Sequence, residues 1–320
     1  MGDSDSFFQA DFRDFDAFAE AVEDASFTFR CSALDSENWS VQGVYLPGGI
    51  HVQMVSEGGG NIADGVNPKS GGNIFMHRDG LMRVNGKELQ PSTPFFMPPE
   101  SEFAFANDHS HRWFSIYFPE PVMHDLGLNE DARGREYRRV TVIQSSAFHS
   151  NQIWRLCKRF LRSAAASSTI SSGARSRARF ESELVDVLRD GYGRKLETRS
   201  PNRGRPVVTD RLMVARAIDA IEATEDGRLP IEDLVQITGV SERSLRAGFD
   251  RYFGVSPKRF MQICMLNKAR ALLARARPDE TTVTRIAADL GEWDIGRFAM
   301  RYKAVFGELP SETLRGNPGI

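Results

Sequence analysis

A chain of 320 residues with an ordinary apolar share of 41% is long enough for two domains with proper cores. No apolar run approaches the roughly 20 residues of a membrane span, and the acidic start MGDSDSFFQADF lacks the basic and apolar regions of a secretory signal. The net charge of −2 hides an asymmetry, with 21 acidic against 7 basic side chains over residues 1–131, 6 against 15 over 132–202, and 16 against 19 over 203–320. The first part is thereby excluded as a nucleic-acid surface, while the middle and the end are free to face anions. Three scattered cysteines, Cys31, Cys157 and Cys264, show no metal spacing and predict buried thiols in a reducing cytoplasm.

Asp11 to Ala25 places Phe12, Phe15, Ala19 and Val22 at helical spacing with acids outward, which predicts a short amphipathic helix. From Phe27 to Phe118 the pattern changes to short alternating runs: FTFRCSAL, WSVQGVYL, IHVQMVSE, NIFMH, LMRVNG, TPFFMPP, FAFA and RWFSIYF. Turns such as LPGG, EGGGN, KSGGN and VNGKE separate them, so the spacing predicts an antiparallel barrel or jelly roll. Helical spacing returns after Pro119. Ile153, Leu156, Cys157, Phe160 and Leu161 form one apolar stripe, and Phe180, Leu184, Val187 and Leu188 form another. This helical pair either dimerises or covers the barrel. A polar, Pro- and Gly-bearing stretch over 193–208 reads as a linker.

The last third carries one pattern twice: a short apolar helix, a turn marked by Gly, and a second helix with a buried aromatic seam. Leu234 and Gly239 align with Ile286 and Gly291, Phe249 with Tyr302, Phe253 with Phe306, and Gly254 to Pro257 with Gly307 to Pro310. Each copy reads as a helix-turn-helix. In the first, Ser241 is a good N-cap. Leu245, Phe249, Tyr252 and Phe253 face inward, Arg243, Arg246, Ala247 and Asp250 face outward, and Ser244 and Arg251 flank them. In the second, Asp294 caps, Phe298 and Tyr302 turn inward, and Arg297 and Arg301 point out. Between the units, Ser256-Pro257 opens a helix running to about Ala276, buried along Phe260, Ile263, Leu266, Ala269, Leu272 and Leu273. At about 1.5 Å per residue that rod is roughly 30 Å long, close to the spacing of successive major-groove faces. Outward arginines can bond guanine bidentately, so Arg243, Ser244, Arg246, Arg251, Arg297 and Arg301 are the candidate DNA contacts.

These residues, above all GRFAMRYKAVFGELPSETLR and then SPKRF, resemble the DNA-binding domain of the AraC/XylS family of bacterial transcription regulators. The resemblance covers Thr209 to Arg315. It implies two helix-turn-helix units joined by one long helix, preceded by a cupin-like sensor domain, in a chain that dimerises. Ala247 and Met300 stand where relatives usually carry Arg, Glu292 where Phe is usual and Met265 where Arg is common, which offers Arg297 a phosphate contact in place of base readout.

Two features of the first half bear on what is sensed. His109-Ser110-His111 is similar to the paired histidines of metal-binding cupins, but no Glu follows and His51, His77 and His149 have no evident partners, so a surface loop and no metal site are expected. Asn38-Trp39-Ser40-Val41-Gln42-Gly43 resembles the (D/N)xSxxG strand motif of PilZ domains, and Arg135 to Arg139 resembles their RxxxR motif. In PilZ domains these grip cyclic di-GMP, with guanidinium groups on guanine and phosphate and Gly for close approach. Here the motifs stand in reverse order, nearly a hundred residues apart, and Arg175 to Arg179 is a competing copy. The site implied is PilZ-like, assembled on an unrelated barrel.

The expectation is an α+β protein: a cupin-like antiparallel β-barrel over 1–120 with flanking helices, a helical dimerisation or docking segment over 121–192, the linker, and an all-α domain over 209–315 carrying two helix-turn-helix units. Its function is that of a cytoplasmic, effector-responsive transcription activator, not an enzyme and without cofactor. The partners expected are double-stranded promoter DNA, a small effector, RNA polymerase and a second copy, with no membrane. Cyclic di-GMP is the named effector, held by Asn38, Ser40, Gly43, Arg135 and Arg139. The alternative is a sugar or small aromatic in the interior, lined by Phe75, Met82, Phe96 and Phe103. The non-regulator alternative is a cupin-type metalloenzyme with a DNA-binding tail.

Overall fold

The computed structural model describes residues 7–13, 15–22, 26–35, 38–128, 139–166, 173–192, 207–224 and 229–316. Arg135 and most of the expected linker lie outside them. The first half runs β1 (Phe7–Phe12), α1 (Phe15–Ala21), β2 (Ser26–Leu34), β3 (Trp39–Tyr45), β4 (His51–Glu57), β5 (Gly59–Val66), β6 (Gly71–Arg78), β7 (Met82–Val84), β8 (Lys87–Leu89), β9 (Phe95–Met97), β10 (Glu102–Asn107), β11 (His111–Pro119), α2 (Glu120–Asp125) and β12 (Thr141–Val142). The second runs α3 (Ala147–Ala166), α4 (Ala174–Tyr192), α5 (Val207–Glu222), α6 (Ile231–Thr238), α7 (Glu242–Phe253), α8 (Pro257–Arg275), α9 (Val283–Asp289), α10 (Ile295–Phe306) and α11 (Pro310–Arg315).

The strands form a seven-stranded sheet, β1-β3-β4-β11-β6-β9-β12, facing a five-stranded sheet, β2-β5-β10-β7-β8. Period-two alternation sorts the side chains. On β3, Trp39 and Val41 join the core between the sheets, whereas Val44 joins the core on the outer face of the seven-stranded sheet. That outer face is covered by α3 and α4 through Ile153, Leu156, Cys157, Leu161, Phe180, Leu184 and Leu188. The two helical stripes therefore cover the sheet.

The expected closed barrel is not formed. An aromatic wedge stands where closure would occur: Phe15 and Phe18 of α1 insert between Trp39 of β3 and Phe29 of β2, with ring centroids 4.8 to 5.8 Å apart. The free edge of β2 is also taken. Asn267 of α8 accepts from Cys31 N–H at 2.9 Å and donates to the Cys31 carbonyl at 2.8 Å, standing in for a neighbouring strand.

Two further expectations are corrected. The amphipathic helix is shorter than 11–25, because Phe7 to Phe12 instead pair with Trp39 to Val44 as an edge strand. The glycine-rich EGGGN is less a turn than the start of β5, where small residues are required: a Cβ on Gly59 would lie 2.1 Å from the Ala33 carbonyl oxygen, and one on Gly60 2.8 Å from the Asp108 backbone.

The C-terminal helices dock on the outer face of the five-stranded sheet. Ile62, Ala104 and Ala106 of that sheet share a core with α5, α6, α7 and the start of α8, while the end of α8 and α9 to α11 share the core that contains α1 and the sheet interior. Buried ions stitch the junction. Arg30 of β2, 4% exposed, pairs with Asp64 of β5 and Glu222 of α5, and Arg270 of α8 pairs with Asp16 of α1 and Glu308.

Candidate nucleic-acid interface and interior cavity

The first helix-turn-helix is built as its sequence predicts. Leu234 and Leu245 are fully buried and pull α6 and α7 together. Gly239 takes φ +70°, a left-handed cap that an L side chain resists, and turns the chain between them. Ser241 then caps α7 by accepting from Ser244 N–H. With Leu245, Phe249, Tyr252 and Phe253 buried, Arg243, Arg246, Ala247 and Asp250 are exposed. Arg246 is braced by Glu242 one turn back, at 2.7 Å, a surface pair weak enough to exchange for DNA. The Ser244 hydroxyl lies 2.9 Å from that of Ser241, and Arg251 pairs with Asp210 of α5. These two flank the face rather than form it.

The second unit repeats the construction with different surface chemistry. Gly291 turns at φ +74° and Asp294 caps α10, accepting from Arg297 N–H at 3.0 Å. Phe298 and Tyr302 are fully buried, as expected. Arg297 is exposed, but Arg301 is half-buried and lies 3.4 Å from Glu292, so the second outward arginine is turned toward its own domain. Trp293, not singled out by sequence reasoning, is 78% exposed and Met300 is 69% exposed. In α8, which ends at Arg275 as anticipated, Leu272 is exposed rather than part of the buried stripe.

Between the sheets lies a cavity of about 50 Å³. Its apolar wall includes Phe27, Phe29, Phe75, Met82, Phe103 and Phe105; Glu57, Asn61, His111, Trp113 and Ser115 form a polar end. Phe75, Met82 and Phe103 lie where sequence reasoning put them. Phe96 does not: adjacent strand residues face opposite ways, so Phe95 takes the interior and Phe96 the outer core. His111 is also not in a surface loop but buried on β11, 3% exposed. Its Nε2 is 3.2 Å from Asn107 Nδ2 and its Nδ1 3.5 Å from Glu57. Glu57 accepts from Trp113 Nε1 and from Asn61 Nδ2. Burial pushes the Glu57 carboxyl up to about 8, partly opposed by the Trp113 donation, and pushes His111 down to about 3. Both are held neutral at pH 7. Among the described residues no group of three or more His, Cys, Asp or Glu could hold a metal ion. The signal that could have found this end is the alternation of β4, where His51, Gln53, Val55 and Glu57 occupy inward positions of a strand expected to be apolar there.

A second cleft, of about 440 Å³, lies between α1, β2 and α8 and is lined by Asp16, Glu20, Ala271, Ala274 and Arg275 among others. Val22, Phe27 and Phe29 line both spaces and separate them.

The residues of the PilZ-like reading are dispersed. Ser40 lies on β3 and Asn38 just before it, while Gly43 packs against the Phe8 ring, which a Cβ would meet at 2.4 Å. Arg139 lies two residues before β12, which is five strand intervals from β3, or roughly 24 Å. Arg175 and Arg179 are exposed on α4, whose Glu181 accepts from Gly48 N–H in the turn after β3.

Residues 234–316 match a helix-turn-helix domain family. The chain is 42% identical over 106 residues to the "Probable thc operon regulatory protein" of Rhodococcus erythropolis, covering 33% of this chain and 32% of that one. It is 36% identical over 134 residues to the XylDLEGF operon transcriptional activator of Pseudomonas putida, covering 42% and 39%. To the XylDLEGF operon transcriptional activator 2 of the same organism it is 33% identical over 120 residues, covering 37% and 76%. The chain thus spans about a third of the length of the first of these relatives. A solved structure described as the AraC-like transcriptional activator CuxR is 14% identical, with a TM-score of 0.42, over 85% of this chain and 96% of that one.

Proposed function

Because this chain belongs to the AraC/XylS family of helix-turn-helix transcription regulators, we propose that it activates transcription by binding promoter DNA through α7 and α10, under the control of a small effector held between the two sheets. The observation that carries the DNA reading is the exposed face of α7. A capped, well-packed helix presents Arg243 and Arg246 near its N-terminal end, where a recognition helix meets base edges. A duplex retained by the full chain should be held about tenfold or more weakly by the Arg243→Ala, Arg246→Ala double variant at moderate salt, as loss of bidentate guanine contacts requires. Equal retention would defeat the assignment. RNA polymerase contact and pairing with a second copy follow from the same reading.

The effector reading is supported by the cavity and by its wall. An apolar void of about 150 Å³ accepts benzene, so an aromatic guest in this smaller cavity must displace lining residues. Val22, Phe27 and Phe29 are the lining residues shared with the cleft against α8. Occupancy would thereby press on the helix that joins the two DNA-reading units. Cyclic di-GMP is the second reading, favoured by the placement of Arg175 and Arg179 on the helix that touches the turn after β3. Thermal-shift titration with phenol, a pentose and cyclic di-GMP separates the two. Stabilisation by phenol or the pentose, abolished by Met82→Trp, supports the cavity; stabilisation by cyclic di-GMP, weakened by Ser40→Ala and Arg179→Ala, supports the nucleotide.

A further inference from the structure

The exposed stripes of the two recognition helices differ in chemistry. On α7 the outward residues are Glu242, Arg243, Arg246, Ala247 and Asp250, a charged face. On α10, Gly296, Arg297 and Met300 fall three and four residues apart and are exposed, one stripe that is apolar except for Arg297, and Trp293, just before the Asp294 cap, is exposed at the N-terminal end of the same helix. Trp293 and Met300 are 78% and 69% exposed, and neither is used by any core. They are two of the three most exposed large apolar side chains among the described residues, and both lie on this one helix or just before its cap. Gly296 stands between them in open space: a Cβ there would meet nothing nearer than Asp294 Oδ1 at 3.6 Å, so the helix presents bare backbone that another surface can approach closely. Arg301, also basic and on this helix, is drawn off toward Glu292.

We propose that α10 reads thymine, through contact of Met300 and Trp293 with the C5-methyl group in the major groove, while α7 reads guanine through arginine. The inference rests on the DNA-binding reading above. The thymine methyl is the apolar feature of the major-groove edge and is recognised by apolar contact rather than by hydrogen bonds. Charge favours DNA over an apolar protein surface as the occupant, since exposed Arg297 beside Met300 and exposed Lys303, three residues beyond it, can hold the flanking phosphates. An operator for this protein would then be asymmetric, with a guanine-bearing and a thymine-bearing half-site.

The test uses the full chain and duplexes it selects from a random pool. Each thymine of a selected duplex is replaced in turn by deoxyuridine, which removes only the methyl group. The expected result is one or two positions, confined to one half-site, at which binding weakens about fourfold, the worth of one buried methyl. In Met300→Ala, whose substituted side chain is exposed and supports no core, the same replacement should have no further effect. A selected duplex that tolerates deoxyuridine everywhere within twofold overturns the proposal while leaving DNA binding intact. So does deoxyuridine sensitivity that persists unchanged in both Met300→Ala and Trp293→Ala, and so does unchanged affinity of both variants, which would reassign the stripe to a protein partner. Selection of no duplex at all overturns both readings.

Discussion

Replacing Glu57 by Gln isolates the cost of burying an ionisable group at the polar end of the cavity. In the folded chain burial raises this carboxyl from 4.5 to about 8. The unfolded chain therefore releases the proton first. Between those values the folded state binds one proton more, so stability is full below pH 4.5 and is lost as pH rises toward 8, at about 1.4 kcal/mol per unit. At pH 7 the accumulated loss is about 3 kcal/mol, and Gln, which cannot ionise, does not incur it. The Gln carbonyl still accepts from Trp113 Nε1, and the Asn61 amide can rotate to accept from the new NH2. His111, lowered to about 3, contributes the opposite slope over lower pH, but it is present in both proteins and cancels in their difference. The assay is urea unfolding of both proteins from pH 5 to 8, followed by the fluorescence of Trp113 and its fellow tryptophans. Glu57→Gln should gain on the parent steadily as pH rises. Parallel curves would refute the argument, because they would mean that Glu57 is ionised in the fold, balanced by an imidazolium at His111.

Asn267→Ala orphans the N–H and carbonyl of Cys31, which is fully buried; at about 1–3 kcal/mol for each orphan, it should destabilise the chain by about 2 kcal/mol or more and speed hydrogen exchange of the β2 amides before those of β4. Ser241→Ala removes the α7 cap and should cost about 1 kcal/mol, with a DNA-affinity loss reproduced at all base positions rather than at one. Gly254→Ala forces a side chain into φ +68° and against Arg83, 2.6 Å away, so it should lower the melting temperature more than Gly296→Ala, which meets open space.

The helix-turn-helix units were legible because their determinants are local. Gly239 and Gly291 end helices by backbone conformation, Ser241 and Asp294 start them by hydrogen bonds reaching three residues, and the 3.6-residue period sorts Leu245 and Phe249 from Arg243 and Arg246 within a single helix. Arg301 departs from its period for the complementary reason: the period points it outward, but Glu292, nine residues away across the turn, draws it back. Most strands are readable one by one in the sequence, but β1 and β5 are among those that are not. Phe7 to Phe12 has no strand signature stronger than its helical one until β3 offers a pairing edge, and glycines in β5 are selected by the backbone of Ala33 and Asp108, which approach only in the assembled sheet.

Local chemistry written in the chain therefore determined that two helix-turn-helix units exist, which face of α7 is exposed, and that alternating strands precede them. Tertiary structure alone decided that those strands face each other as two open sheets, since closure depends on whether edges meet, and here Phe15, Phe18 and Asn267 occupy them. It also decided that Glu57, Asn61, His111 and Trp113 converge, because inward positions on separate strands become neighbours only through register. The cleft between the cavity wall and α8 belongs to the same class: Phe27 and Ala274, far apart in sequence, line it together only because one layer docks on another.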